Sequence, residues 1–260
     1  FSDCPRFFLK GYKMKTKKPT GYILYKGKSL IDNLPIVVIA IVKSSNKKTG
    51  DMIQTYILVD NGLTPFENAK LGNDFSVCGD CKHRPTKNNT CYVTLFQGAN
   101  QVYKSYKKGS YPFDLTMAST ISTDRVVRIG SYGNPSAVPV RVWDTLTRYA
   151  KGKTSYEHNW IDKIGNFDIS TMKFSMASVD NETEYHQAKK LGYRTFRVKH
   201  INESMMSNEI ICPASEEAGR KATCQDCKLC SGNTIKAKDI VINVHGAKRN
   251  NFKGISINQV

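Results

Sequence analysis

The chain has 260 residues, 40% of them hydrophobic, enough for one substantial core or two small ones, which excludes a mini-protein or a disordered tail. Lysine and arginine number 39 against 22 acidic residues, a formal net charge of +17, and such an excess favours polyanionic partners, nucleic acid first among them. The longest apolar run, 35–42 (PIVVIAIV), falls well short of the roughly 20 residues a membrane-spanning helix needs, and Phe1 is followed by no charged-then-apolar leader. No membrane partner and a cytoplasmic location are therefore expected.

In chain order, residues 1–35 read as a basic amino-terminal arm carrying Lys10, Lys13, Lys15, Lys17, Lys18, Lys26 and Lys28. Its aromatics, Phe7, Phe8, Tyr12, Tyr22 and Tyr25, either stack on bases while the lysines neutralise phosphates or are ordinary strand aromatics beside solvated charges. Segments 35–42 and 52–60 are apolar and β-branched and predict a hairpin around Thr49-Gly50. Thr64 and Pro65 open a short helix over 64–70. After Cys91 the spacing of Tyr92, Leu95, Val102, Tyr103 and Tyr106 predicts a helix to Lys108 that the cysteine loop opens directly.

From Asp124 onward short apolar runs alternate with helical stretches. Strands are predicted at 125–129, 156–160, 173–179, 195–198, 209–212 and 239–244, and helices at 139–150 and 182–191. Alternation of this kind predicts parallel βα units, whose ligands gather at the carboxyl ends of the strands. Gly130, Asn134, Ser178, Asp180, His200, Cys212 and His245 all fall at such ends. Each also has a plain local role: turn residues, a helix N-cap for Asp180, surface histidines.

Seven of the eight cysteines form two groups, Cys78, Cys81 and Cys91, then Cys212, Cys224, Cys227 and Cys230, with Cys4 apart. A chain of this length without a leader does not need a disulfide framework, so the C-x-x-C pairs point to metal. The Cys224, Cys227, Cys230 triple has the C-x2-C-x2-C spacing of a [4Fe-4S] loop, while four thiolates equally make a closed tetrahedral zinc site. The first group lacks a fourth ligand. His83 or Cys4 could complete a zinc site there, or His83 is a solvated residue between Lys82 and Arg84; an open position would leave a cubane with one free iron.

The stretches SVCGDCKHRPTKNNTCYVTLFQ, RVVRIGSYGNP, SMASVDN with ETEYHQAKKLGYRTFRV, and IICPASEEAGRKATCQDCKLC with DIVINVHG resemble bacteriophage and plasmid proteins that look distantly related to phage radical-S-adenosylmethionine-like proteins. The resemblance covers about residues 36–248. It implies an α/β fold with a partial (β/α) barrel, an N-terminal β-hairpin region and a Cys-rich C-terminal metal module. It further implies that Cys78, Cys81 and Cys91 hold the radical cluster, with S-adenosylmethionine beside Gly130, Tyr132, Gly133, Asn134, Ser178 and Asp180. The family's first-strand signature is C-x3-C-x2-C, whereas x2 and x9 separate the cysteines here, a spacing equally compatible with zinc.

The expected organisation is a basic arm over 1–35, an α/β body over 36–248 containing the cysteine loops 78–91 and 212–230, and a basic tail over 249–260. The expected function is that of an iron–sulfur protein of phage type, acting in the host cytoplasm on nucleic acid or another anionic substrate by radical chemistry. A zinc-stabilised nucleic-acid-binding protein, gripping phosphates through the arm and Lys104, Lys107 and Lys108, is the alternative; a metal-dependent nuclease using Asp180, His200 or His245 is the third reading. No catalytic acid or base can be named from the sequence. No P-loop or G-x-S-x-G elbow is present.

Overall fold

The computed structural model describes residues 18–44, 46–161 and 169–252. Gly21–Lys28 (β1), Pro35–Ile41 (β2) and Ile53–Val59 (β3) form an antiparallel meander, so the predicted hairpin exists and gains a third strand. Residues 36–40 are wholly buried, which is why the run lacks polar alternation. β1 lies inside the stretch expected to be a free arm. Tyr22 and Tyr25 pack against the main core, and the Tyr25 hydroxyl donates to the Lys28 carbonyl at 2.8 Å, so both are strand aromatics. Phe7, Phe8, Tyr12, Lys10, Lys13, Lys15 and Lys17 lie outside the described residues, as does Cys4.

Pro65–Leu71 (α1) starts on a capping box between Thr64 and Glu67 and stops at Gly72, which takes φ 80° as only glycine does freely. Phe75–Cys78 (α2), Gly98–Lys107 (α3) and Met117–Ser122 (α4) follow. The helix expected directly after Cys91 starts only at Gly98. The β-branched pair Val93-Thr94 disfavours helix, and Tyr92 is held elsewhere by Arg128, whose Nη2 donates to its hydroxyl at 2.9 Å. Val126–Tyr132 (β4) then pairs with β3 in parallel, Val140–Thr147 (α5) buries Val142, Trp143 and Leu146, and Gly152–Thr154 (β5) returns parallel to β4.

Ser155 alone separates β5 from Tyr156–Glu157 (β6). β5 is the edge of the first five-stranded sheet and β6 the edge of the second, so one extended segment joins the two. Met176–Val179 (β7), Glu182–Lys190 (α6), Thr195–Lys199 (β8), Glu209–Ile211 (β9), Cys224–Cys227 (α7) and Asp239–Asn243 (β10) complete the fold. The second sheet runs β6-β7-β8-β10-β9 with every pairing parallel. The chain is therefore mixed α/β, with the parallel βα alternation expected from Asp124 onward. Among the described residues no helix is long and apolar enough to cross a membrane.

The two-residue period of the strands divides the second sheet into faces. Ala177 and Val179 turn toward Tyr185 and Ala188 of α6, with Trp160 and Tyr193. Met176, Ile240 and Ile242 turn the other way and gather with Cys212, Cys224 and Cys230 beneath Tyr156, Phe196 and Val198. Buried charges are answered in kind: Arg197, 1% exposed at its side chain, meets Glu209 at 2.7 Å, and Asp239 takes Lys189 at 2.9 Å. Arg194 has no acid. Its guanidinium donates instead to the carbonyls of Leu229, Gly232, Ala237 and Lys238 at 2.8, 3.0, 3.1 and 2.6 Å, fixing the loop that follows the last cysteine. Replacing Arg194 by Met strands those carbonyls, and a loss of at least about 2 kcal/mol is expected, read as a lower urea midpoint; an unchanged midpoint would show that water replaces the guanidinium at no cost.

Candidate metal centres at the carboxyl edge of the strands

Two cysteine loops pack on the sheets, one with the main core and one with the cluster around Met176 and Ile240. In the first, Cys78 ends α2 and Gly79 turns the chain at φ 57°, ψ −139°, so tightly against the Asn159 amide that a Cβ would come within 2.3 Å of it. Arg84 locks the loop from inside: Nε and Nη2 donate to Asp74 Oδ1 at 3.0 and 2.6 Å, and Nη2 also reaches the Gly72 carbonyl. The Cys91 amide donates to the His83 carbonyl at 2.9 Å, which brings the third cysteine back beside the first pair.

Asn134, just past β4, anchors this loop to the sheet. Its amide Nδ2 donates to the Cys78 carbonyl at 2.6 Å and its backbone N–H to the Val77 carbonyl at 2.7 Å. Gly133 takes φ 86°, and a Cβ there would stand 2.8 Å from the Ile57 Cβ; Gly130, at φ 67°, sits where a Cβ would meet the Gly133 carbonyl at 2.6 Å. The glycines are thus demanded by the packing of α2 on β3 and β4. Tyr132 ends β4 inside, its phenol pushed up by burial and then by the neighbouring Cys78 thiol. Ser178 is buried on β7, and its carbonyl accepts from Trp160 Nε1 at 2.9 Å.

Asp180 is not the cap of α6. Asn181 caps it, accepting from the Glu184 amide, while the Asp180 side chain turns inward at 3% exposure. Lys82 Nζ and His83 Nε2 each lie 2.9 Å from its carboxylate, and Lys82 also meets Glu184 at 2.7 Å. Burial pushes the Asp180 carboxyl up, but His83 and Lys82 outweigh it and hold it at about 2. His158 packs edge-on against His83 at 5.4 Å between ring centroids; burial, then His83, lowers it to about 3, so it is neutral here. His83 is consequently no solvated loop residue: Thr90 Oγ1 stands 2.6 Å from Nδ1 and Asp180 takes Nε2. Phe252 stacks on it, and Lys248 and Asn251 bind Asn89, so the first residues of the expected free tail pack on this loop. Residues 253–260 lie outside the described residues.

The second loop gathers four cysteines from three anchors. Cys212 follows β9 and its amide donates to the Val241 carbonyl at 2.8 Å. Cys224 begins α7, capped by the Thr223–Asp226 box, and the amides of Cys224 and Gln225 donate to the carbonyls of Lys48 and Thr49 in the β2–β3 loop. The Cys230 carbonyl accepts from Ser155, the residue between the two sheets. All seven described cysteines carry free thiols. Burial raises Cys78, Cys81, Cys91, Cys212, Cys224 and Cys230, the last to about 12, and for all of these except Cys91 a neighbouring thiol adds to the rise. Clustered buried thiols are soft donors, and a thiophilic cation would offset the burial that keeps them protonated by binding the thiolate form, so the donor chemistry fits zinc or an iron–sulfur cluster. As placed, however, no three His, Cys, Asp or Glu side chains among the described residues are arranged to hold a metal ion.

The nuclease residues stay apart: Asp180 is committed to Lys82 and His83, His200 Nε2 to the Phe252 carbonyl at 2.7 Å, and His245 lies against Tyr92. Sequence reasoning missed Lys82, Glu184 and His158, whose pairing is long-range. It also missed Arg128, whose only signal is a charge in the otherwise apolar run VVRI at the start of β4.

The pairing of Asp180 predicts its own acid response. Because its carboxyl is depressed on folding, the stabilisation is complete above the ordinary aspartate pKa and is lost as pH falls toward 2. Between pH 5 and pH 2 the native chain is expected to lose roughly 2 kcal/mol more than Asp180→Asn, read from urea midpoints at the two pH values; parallel losses would refute the pairing. No family model, curated protein or solved structure matches the chain.

Proposed function

We propose that the chain is a thiolate–metal protein of iron–sulfur type, with Cys212, Cys224, Cys227 and Cys230 as a closed structural centre and Cys78, Cys81 and Cys91 as an open one. The observation that carries this is the commitment of both His83 ring nitrogens, to Thr90 and Asp180, which leaves the first group with three thiols and no fourth ligand among the described residues. Three thiolates on a [4Fe-4S] cluster leave one iron for another ligand, and S-adenosylmethionine is the proposed one, supplying radical chemistry when bound. Tyr132, Asn134, Ser178 and Asp180, with the Gly130 and Gly133 turn, would border it. The parallel β3-β4-β5 and β6-β7-β8 successions in the two sheets, with α5 and α6 as crossovers, are what favours reading the fold as a radical-SAM-like partial barrel. Zinc in both loops would make a scaffold instead.

Nucleic acid is the proposed partner, on the strength of the +17 charge and the exposed Lys104, Lys107 and Lys108 of α3. Affinity for single-stranded RNA or DNA is expected to fall steeply between about 50 and about 200 mM salt, as counterion release requires; salt-insensitive binding would remove this partner.

Anaerobic purification with metal and sulfide analysis separates cluster from zinc: iron, sulfide and broad visible absorption support the enzyme, zinc in a colourless protein the scaffold. Cys227→Ser is expected to remove one centre and lower the melting temperature sharply, because structural metal binding contributes folding free energy directly. Cys81→Ser is expected to remove the other. Unchanged metal content in both variants would overturn the proposal.

A further inference from the structure

We propose that Arg128, Tyr156 and Phe196 form a nucleotide site on the cysteine-bearing face of the sheets, the guanidinium taking a phosphate and the two rings offering a stacking surface to the base. Arg128 stands at the middle of β4, its guanidinium carbon 5.3 Å from the centroid of Tyr156, and the Tyr156 and Phe196 centroids lie 4.4 Å apart. Both rings are only half buried. The remaining interior arginines are satisfied: Arg84 by Asp74, Arg197 by Glu209 and Glu203, Arg194 by its four carbonyls. Arg128 is not. Among the described residues no carboxylate lies within 4.0 Å of it, and of the five N–H groups of a guanidinium one is used, on the Tyr92 hydroxyl. A planar fork with unused N–H groups, beside partly exposed aromatic rings, matches a phosphate carried by a heteroaromatic ring. A lone carboxylate or inorganic phosphate would use the fork and leave the rings idle.

This site rests on the nucleic-acid reading of the proposed function and narrows it to one place, beside Cys224 and Cys230. The nucleotide could be free or part of a strand. The thiols of Cys224 and Cys230 are the remaining candidates for Arg128's counter-charge.

The test is calorimetric titration of the full chain at low salt with AMP, CMP, GMP and UMP separately, the matching nucleosides, inorganic phosphate, and a short single-stranded oligonucleotide. At least one monophosphate or the strand is expected to bind more tightly than its nucleoside. Arg128→Lys, which keeps the charge and loses the fork, and Phe196→Leu, which removes a ring, are each expected to weaken that binding about tenfold or more, with metal content unchanged and the protein still folded. Binding of the strand without any monophosphate would assign the ligand to nucleic acid, and binding of a monophosphate would assign it to the free nucleotide; both support the site. No binding of either, equal affinity in the two variants, or loss of metal in Arg128→Lys would overturn it. Salt-dependent strand binding that ignores both variants leaves the nucleic-acid partner standing while this site falls.

Discussion

Parallel pairing is the constraint on which the rest of the molecule depends. From β4 onward each strand lies parallel to its sheet neighbours, so neighbours within a sheet are joined by return crossings, and the carboxyl ends of β4, β6, β7 and β8 arrive at a common edge. That edge is where the first cysteine loop rests, held by Asn134 after β4, Asn159 after β6 and Asp180 after β7. The residues concerned come from distant parts of the chain and share no local pattern. Their proximity follows from strand direction alone.

The same constraint explains why polar side chains are tolerated so deep. Asp74, Glu157, Asp180, Glu209 and Asp239 are all buried, and each is answered by a cation or by backbone amides supplied from a neighbouring strand end or helix start. Burial raises Glu157 to about 7 even though the Ser136 and Asn159 amides, which pull the other way, donate to it at 2.9 and 2.8 Å. Arg128 stands out against this pattern because its strand faces the cysteines and two aromatic rings, none of which offers it a carboxylate.

Elements governed by local chemistry were legible in the sequence. The cap at Thr64 followed by Pro65, the apolar runs of β2 and β3, and each member of the strand–helix–strand succession β7, α6, β8 are encoded within a dozen residues. β1 was not legible, because its lysines and tyrosines resemble a basic arm until Ile23 and Leu24 find the core. The start of α3 was misplaced because Tyr92 and Leu95 fit the helical period although Tyr92 serves Arg128 instead. Both cysteine groups could be picked out from spacing, but the engagement of His83 could not. Asp180 and Thr90 reach it from different elements, and Asp180 looked like the cap that Asn181 provides. Cys4 and the first lysines of the arm lie outside the described residues.

The docking of α7 on the β2–β3 loop reaches from the carboxyl-terminal part of the chain to its amino-terminal part. The carbonyls of Lys48 and Thr49 accept the first amides of a helix that begins at Cys224. A helix of four residues cannot persist alone, since nucleation is too costly for so short a segment. During synthesis the hairpin emerges well before the cysteine run, and those carbonyls face water until the run follows. Closure of this long loop is a late, high-contact-order event, and the thiols stay open to oxidation and to premature metal capture until it occurs.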